Sequence, residues 1–334
     1  MKKIIISVFI IVTGLFLLDA VFSFLIQENR NIKLSNAMKG KLEYDVLFHG
    51  PCEPLFTIDA SYIDSLVGSS SYNYALRHTD FADNYLHLYL YLKKNKTPKQ
   101  IYLYVTPESF DLRFNTFHSY RFAPYLDDTL VANVVKEMDP AYAKTTWAPF
   151  MRFAYYNSYK TFDVIQGFVH YINNKRNPYF KNGFIAHPDN MYHTRPDGYI
   201  APEHLVYAAN YNVTQLTDSN LYYELYEERQ IFTWDTVREK YLRKIFELCA
   251  SKSVKLFLYE STPYLNSVHD QPNRPFFLRK TFEIAKEYDS KYIQMAELDI
   301  SKDKSNFVCP LILSTKGTQL FLKSFSDSIK LNLQ

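Results

Sequence analysis

Three cysteines and nine histidines are spread along this chain, and one of each sits where a strand should end. The segment Tyr44 to Asn73 reads YDVLFHGPCEPLFTIDASYIDSLVGSSSYN. It has the form of a buried strand, a sharp Gly-containing turn and a helix start, the place where many α/β hydrolytic enzymes expose a nucleophile at the carboxyl edge of a sheet. Cys52 occupies the exposed position. As a thiolate it is a strong nucleophile, provided that a neighbouring base or a helix start lowers its pKa. A base must lie within hydrogen-bond reach of the sulfur. The candidates are His49, His78, His118 and His269, of which His49 at the strand end and His78 after the Asn73 turn are the better placed. Glu53, beside Cys52, could orient a base or polarise a bound group, or could simply compensate the helix dipole.

A second group follows another apolar run. Thr106-Pro107-Glu108-Ser109-Phe110-Asp111 closes a strand and brings two carboxylates and a hydroxyl to its end. Glu108, Ser109 and Asp111 could line a ligand groove, or the acids could cap the following turn. Arg121, set among Tyr120, Phe122 and Pro124, is a candidate partner for an anionic glycan, and Asn73 a candidate binding residue at its turn. No Cys/His spacing suits zinc, so no metal is expected, and no Gly-rich phosphate loop occurs among the 8 glycines. No cofactor is expected. Asn212-Val213-Thr214 is a formal glycosylation sequon that matters only in a glycosylating host.

The elements that must hold these groups read as an α/β outline. Asp45 to His49, Gln100 to Thr106 and Val254 to Glu260 are apolar runs ending in Gly- or Pro-marked turns, as buried parallel strands do. Between them lie helical patterns: Phe81 to Leu92, apolar at nearly every position, and Thr233 to Ala250, with Val237, Tyr241, Ile245 and Leu248 on one face. A last helix after Lys316-Gly317 aligns Phe321, Phe325 and Ile329. This alternation predicts a doubly wound, mostly parallel sheet. Residues 110–232, rich in Tyr and Pro, read as an insertion or lid over one sheet edge.

Composition bounds the function. At 334 residues and 47% hydrophobic the chain can build a full core, and a net charge of +3 without a basic run leaves no electrostatic footprint for nucleic acid. The 29 Tyr and 26 Phe fit either sugar-stacking surfaces or AT-rich coding. Met1-Lys2-Lys3 precedes an apolar run from Ile4 to Ile26, long enough to cross a bilayer and lacking a small-x-small cleavage site. An uncleaved signal anchor is expected, with residues 1–29 as cytoplasmic tip and transmembrane helix, and residues 30–334 as one extracytoplasmic domain at the inner membrane. Asp19 inside the run requires a helix partner or a place near the headgroups.

The order of these blocks resembles the SGNH/GDSL hydrolase superfamily, in particular its membrane-anchored envelope branch of DltD-like and alginate-acetylation proteins. The matching blocks are Gly50-Pro51-Cys52-Glu53, Ser71-Tyr72-Asn73, the strand Leu256 to Pro263, and Cys309-Pro310-Leu311-Ile312-Leu313-Ser314-Thr315-Lys316-Gly317. They cover about two thirds of the chain and leave the insertion unmatched. The resemblance implies an SGNH-like sheet with flavodoxin-like layering, and as partners the membrane, a polytopic acyltransferase or other envelope complex, and cell-surface polysaccharide. It also exposes departures: Cys52 stands where the family has Ser, Cys309 where it has Asp, and Ile312 where it has His. Two loops that meet at the family's active edge would then each carry a cysteine, and outside the cytoplasm Cys52 and Cys309 could join if their Cα atoms come within about 7 Å. Cys249 reads as a buried small hydrophobe. Two functional classes follow: an acyltransferase or esterase with Cys52 as nucleophile, or a catalytically silent relative holding a polysaccharide-modifying or membrane complex together. The lost Asp and His favour the second.

Overall fold

The computed structural model describes residues 1–29, 32–76, 79–112, 117–145, 231–264, 271–296, 298–309 and 312–333, together with Ile165, Phe168, Val169 and Ile172. The chain divides into two compact units, one from Met1–Leu42, Ala82–Lys96 and Thr116–Pro178, the other from Glu43–Phe81, Thr97–Asn115 and Tyr179–Gln334.

The first unit is helical. Helix α1 spans Lys2–Asn29, of which Lys2–Phe22 is long and apolar enough to cross a membrane; the same length and composition, this close to the amino end, also fit a signal sequence. Ile4 to Leu18 expose nearly every large apolar side chain, whereas Asp19 and Leu25 are buried, so this end of the helix meets protein. Its neighbours are α2 (Ile32–Met38) and a 3-10 turn over Ser119–Tyr125. In the same unit are most of α5 (Phe81–Lys94), α6 (Thr129–Met138) and α7 (Pro140–Thr145). Asp128 caps α6 through the Leu130 and Val131 amides and accepts from Tyr89 Oη (2.9 Å) and Lys93 Nζ (2.6 Å) on α5. The insertion expected over 110–232 lies mainly outside the described residues; its described part includes α6 and α7.

The second unit carries the sheet. Five strands, β1 (Val46–His49), β2 (Ser71–Asn73), β3 (Gln100–Tyr104), β4 (Lys255–Tyr259) and β5 (Tyr292–Ile293), pair in the order β2-β1-β3-β4-β5, all parallel. The order turns back at β1, which has β2 on one side and β3 on the other. Parallel strands must be covered on both faces, and the residues show it. Val46, Phe48, Tyr102, Tyr104, Phe257 and Tyr259 join one core with Phe321, Phe325 and Ile329 of α10 (Thr315–Leu333) and Ile63 of α4 (Ala60–Val67). The alternate residues Leu47, Ile101, Leu103, Leu256 and Leu258 are also buried, and α8 (Thr236–Ser251) packs against β4. Asp235 caps α8 through the Arg238 amide at 2.8 Å, which sets its start three residues beyond the expected Thr233. Helix α9 (Arg274–Glu287) precedes β5, and a short antiparallel hairpin, β6 (Phe307–Cys309) and β7 (Ile312–Leu313), precedes α10.

Candidate functional site

The carboxyl edge of the sheet gathers the chemistry-bearing residues of the second unit, and the turn after β1 explains how. Gly50 adopts φ +144°, and a Cβ there would lie 2.7 Å from the Tyr104 Cβ and 3.0 Å from the Pro54 Cγ, so only glycine fits the approach of the turn to β3. The chain then enters α3 (Cys52–Thr57) with Cys52 as its first residue. Asn73, at the end of β2, holds this short helix from beneath. Its Nδ2 donates to the carbonyls of Pro54 (2.7 Å) and Ile58 (2.9 Å), and its Oδ1 accepts from the Ala75 amide (3.1 Å). A residue read as a candidate binder is thus committed to backbone groups, where it positions Cys52.

Cys52 is half-buried and packs against a small apolar cluster of Leu55, Phe56, Ala75 and Ile312. Contact between α3 and β7 brings the Cys52 turn and the hairpin before α10 together. Cys309 ends β6, opposite Ile312; its side chain lies outside the described residues, as do His78 and His269. His49 is fully buried at the end of β1, its Nδ1 3.1 Å from the Tyr74 carbonyl and its ring stacked on Tyr74. A carbonyl only accepts, so this contact places a proton on Nδ1.

Three carboxylates stand along the same edge, after β1, β3 and β4. Glu53 is held by α3, and its Oε2 is buried without a hydrogen-bond partner. Burial first, then the nearby Glu108, push its carboxyl up to about 7, against the lowering effect of a backbone hydrogen bond. Glu108 lies in the 3-10 turn Pro107–Phe110 and accepts from Gln271 Nε2 at 3.1 Å. Glu260 is buried at the end of β4, where Arg274 Nη2 donates to both its oxygens (2.8 and 2.7 Å) and Tyr292 Oη to Oε2 (3.1 Å). Burial raises the Glu260 carboxyl, and the Arg274 charge and hydrogen bonds oppose it. Arg274 also reaches Gln271 Oε1 at 3.4 Å, which completes a chain from Glu260 through Arg274 and Gln271 to Glu108. Tyr104 and Tyr259 stand edge to face on β3 and β4, and Tyr104 Oη lies 3.4 Å from Ser261 Oγ.

The remaining candidates have internal partners. Ser109 Oγ accepts from the Thr106 amide at 3.1 Å, and Asp111 Oδ2 from the Thr233 amide at 2.8 Å. The acid at 111 therefore clamps the strand end to the segment leading into α8. In the first unit, Arg121 is buried 3.8 Å from Asp83, and His118 Nδ1 lies 3.8 Å from the same carboxylate. The Arg121 charge is met within the chain. Among the described residues no group of three His, Cys, Asp or Glu side chains could hold a metal ion.

Sequence reasoning located Cys52, Glu53 and Glu108 and missed Glu260, Arg274, Gln271, Tyr104 and Tyr259. Glu260 closes a recognised apolar strand, and an acid at such a strand end was the available signal. Arg274 carried none, being 14 residues away at the start of an unassigned helix.

The raised Glu53 carboxyl has a consequence for stability. The folded chain holds this proton more tightly than the unfolded chain, whose carboxyl titrates near 4.5. Stability from this group is therefore complete below pH 4.5 and is lost as pH rises through 7. The shift corresponds to about 3 kcal/mol at full burial and less for a half-buried residue. Glu53→Gln is expected to leave stability at pH 4 unchanged and to raise it at pH 8 by about 1–3 kcal/mol, read from denaturant midpoints; an equal effect at both pH values would contradict the assignment.

No family model matches this chain, and no curated protein matches it either.

Proposed function

We propose that the chain is a membrane-anchored, extracytoplasmic protein of the cell envelope with an SGNH-hydrolase-like, doubly wound domain. It serves as a non-catalytic relative that supports polysaccharide modification or a membrane complex. The strand order, with its turn-back at β1 and Cys52 just beyond that strand, is the order of flavodoxin-like sheets and supports this layering. The exposed apolar half of α1 and the absence of a small-residue cleavage site support an anchor with residues 30–334 outside the cytoplasm. Residues 110–232 would form the insertion.

The observation that carries the non-catalytic reading is the apolar setting of the position where the resemblance expects histidine. A nucleophilic thiol needs a base, and the base an orienting group. Ile312, at the position where the resemblance expects histidine, lies in the apolar cluster against which Cys52 packs. The second reading, an acyltransferase or esterase with Cys52 as nucleophile, draws on one observation: Glu53, whose carboxyl near 7 suits proton transfer at neutral pH.

Complementation separates the two. In a strain lacking this chain, Cys52→Ala is expected to restore the envelope as fully as the wild type, whereas a chain without residues 1–29 is expected to fail. Loss of complementation by Cys52→Ala, with the variant present at wild-type level in the membrane, would overturn the non-catalytic reading.

A further inference from the structure

Four apolar side chains of the first unit stand outside its core. Ile165, Phe168, Val169 and Ile172 are each helical, and they are 55%, 50%, 47% and 62% exposed. Their spacing, i, i+3, i+4 and i+7, is that of one face of a helix. In the sequence, the positions that the same period sets opposite are Asp163, Gly167, His170 and Asn174, polar or, at Gly167, without a side chain. An amphipathic helix normally turns its apolar stripe into a core, whereas this stripe faces outward. Single exposed apolar residues need no explanation, but a contiguous apolar stripe marks a contact surface. The same unit carries α1, whose large apolar side chains are exposed along Ile4 to Leu18.

We infer that Ile165, Phe168, Val169 and Ile172 form a second membrane contact, lying in the interfacial layer of the bilayer that α1 crosses. The inference rests on the anchor reading of α1, which brings this unit to a lipid surface. Length sets the mode of contact. A helix rises about 12 Å over the stripe, far short of the roughly 30 Å hydrocarbon core, so the stripe lies along the surface and does not span. The flanks suit headgroups: Lys160 precedes the stripe and Lys175 and Arg176 follow it, cations that meet lipid phosphates, with Tyr155, Tyr156, Tyr159 and Tyr179 beyond them, a residue type that favours the membrane–water boundary. A second copy of the chain fits the stripe poorly. Four side chains about half exposed offer roughly 400 Å², about half of what one partner contributes to a standard protein interface.

The test is photocrosslinking of the full chain in vesicles of phosphatidylcholine and phosphatidylglycerol, with p-benzoylphenylalanine placed at one position at a time and adducts read by mass spectrometry. Phe168 and Ile172, each replaced by the probe, are expected to gain the mass of a phospholipid. Both positions are exposed, so the probe displaces no packing. The same probe at His170 is expected to give at least about tenfold less lipid adduct. Phe168→Asp is expected to lower the lipid adduct at Ile172 roughly tenfold or more, the usual effect of losing one apolar side chain from a buried face. The absence of a phospholipid adduct at Phe168 and Ile172 overturns the inference, as does an adduct joining two copies of the chain in its place, or an equal lipid yield at His170. Phe9 on α1 is the control for the anchor. Lipid adducts at Phe9 and none at the stripe would leave the anchor reading standing and remove this inference; lipid adducts at the stripe and none at Phe9 would overturn the anchor reading and leave the stripe's membrane contact standing.

Discussion

Gly317→Ala is expected to destabilise the sheet-bearing unit by on the order of 3 kcal/mol or more. This is the opposite of what helix propensity alone would give. Gly317 lies in the first turn of α10, and alanine in a helix is favoured over glycine by about 1 kcal/mol. A Cβ at this position, however, would stand 2.0 Å from the Asn306 carbonyl oxygen and 2.9 Å from its carbon. Those are backbone atoms fixed from several directions. The same carbonyl accepts from the Ser314 amide at 2.8 Å, Ser314 Oγ reaches the Ser305 carbonyl at 3.0 Å, and Asn306 Nδ2 donates to Ile300. Relief would have to lift α10 from the hairpin region and pull Phe321, Phe325 and Ile329 out of the core they share with β1, β3 and β4. For a unit of this size the midpoint of thermal unfolding should drop by roughly 5–10 °C. A midpoint equal to or above that of the wild type would show that the α10 junction is not as tight as described.

Arg274→Met is expected to cost about 3–5 kcal/mol, because it strands a buried carboxylate. Glu260 is nearly inaccessible, and its two oxygens share the Arg274 Nη2, with Tyr292 as the further donor. Without the guanidinium, burial and the nearby Glu108 act on the acid against the Tyr292 hydrogen bond alone, and it escapes by keeping its proton. A carboxyl whose folded pKa rises loses stability as pH increases through that value. The penalty of Arg274→Met should accordingly grow from pH 5 to pH 8, and Glu260→Gln combined with Arg274→Met should recover much of it by removing the charge. Denaturant unfolding of the two variants across that pH range is the measurement. A pH-independent penalty, or a double variant no better than the single one, would show that the pair is worth only its packing.

Both effects reside in features that the sequence reveals unevenly. The runs around Phe48, Tyr102 and Phe257 announce β1, β3 and β4 because a strand buried on both faces is apolar at every position. β2, only Ser71–Asn73, reads as a turn, and β5 is the two residues Tyr292–Ile293; neither is long enough for a period to show. The helix expected from Phe81 runs to Lys94, since its apolar density identifies it whatever it contacts. At the carboxyl edge, Cys52, Glu53 and Glu108 are visible because they follow recognisable strands. Their partners are not, because the Glu260–Arg274–Gln271–Glu108 chain joins an edge residue to the start of α9, and side-chain direction across such a span is set by packing. Asn73 shows the converse: a residue of polar, ligand-like type whose hydrogen bonds go to the backbone of α3 and the residues after it.

The central proposal, that Cys52 stands at a nucleophile's position in a non-catalytic relative, is tested most directly by the pH dependence of its alkylation. An ordinary thiol titrates near 8.5, whereas an activated one is already a thiolate at neutral pH. Cys249, whose burial pushes its thiol up to about 12, serves as the unreactive reference in the same molecule. With iodoacetamide and mass-spectrometric readout at Cys52, before and after mild reduction, the account expects either no reaction until a disulfide is reduced or a rate that keeps climbing between pH 6 and pH 9 as a free peptide thiol does. Rapid alkylation of Cys52 without reduction, with a rate already level between pH 6 and pH 8, would contradict it.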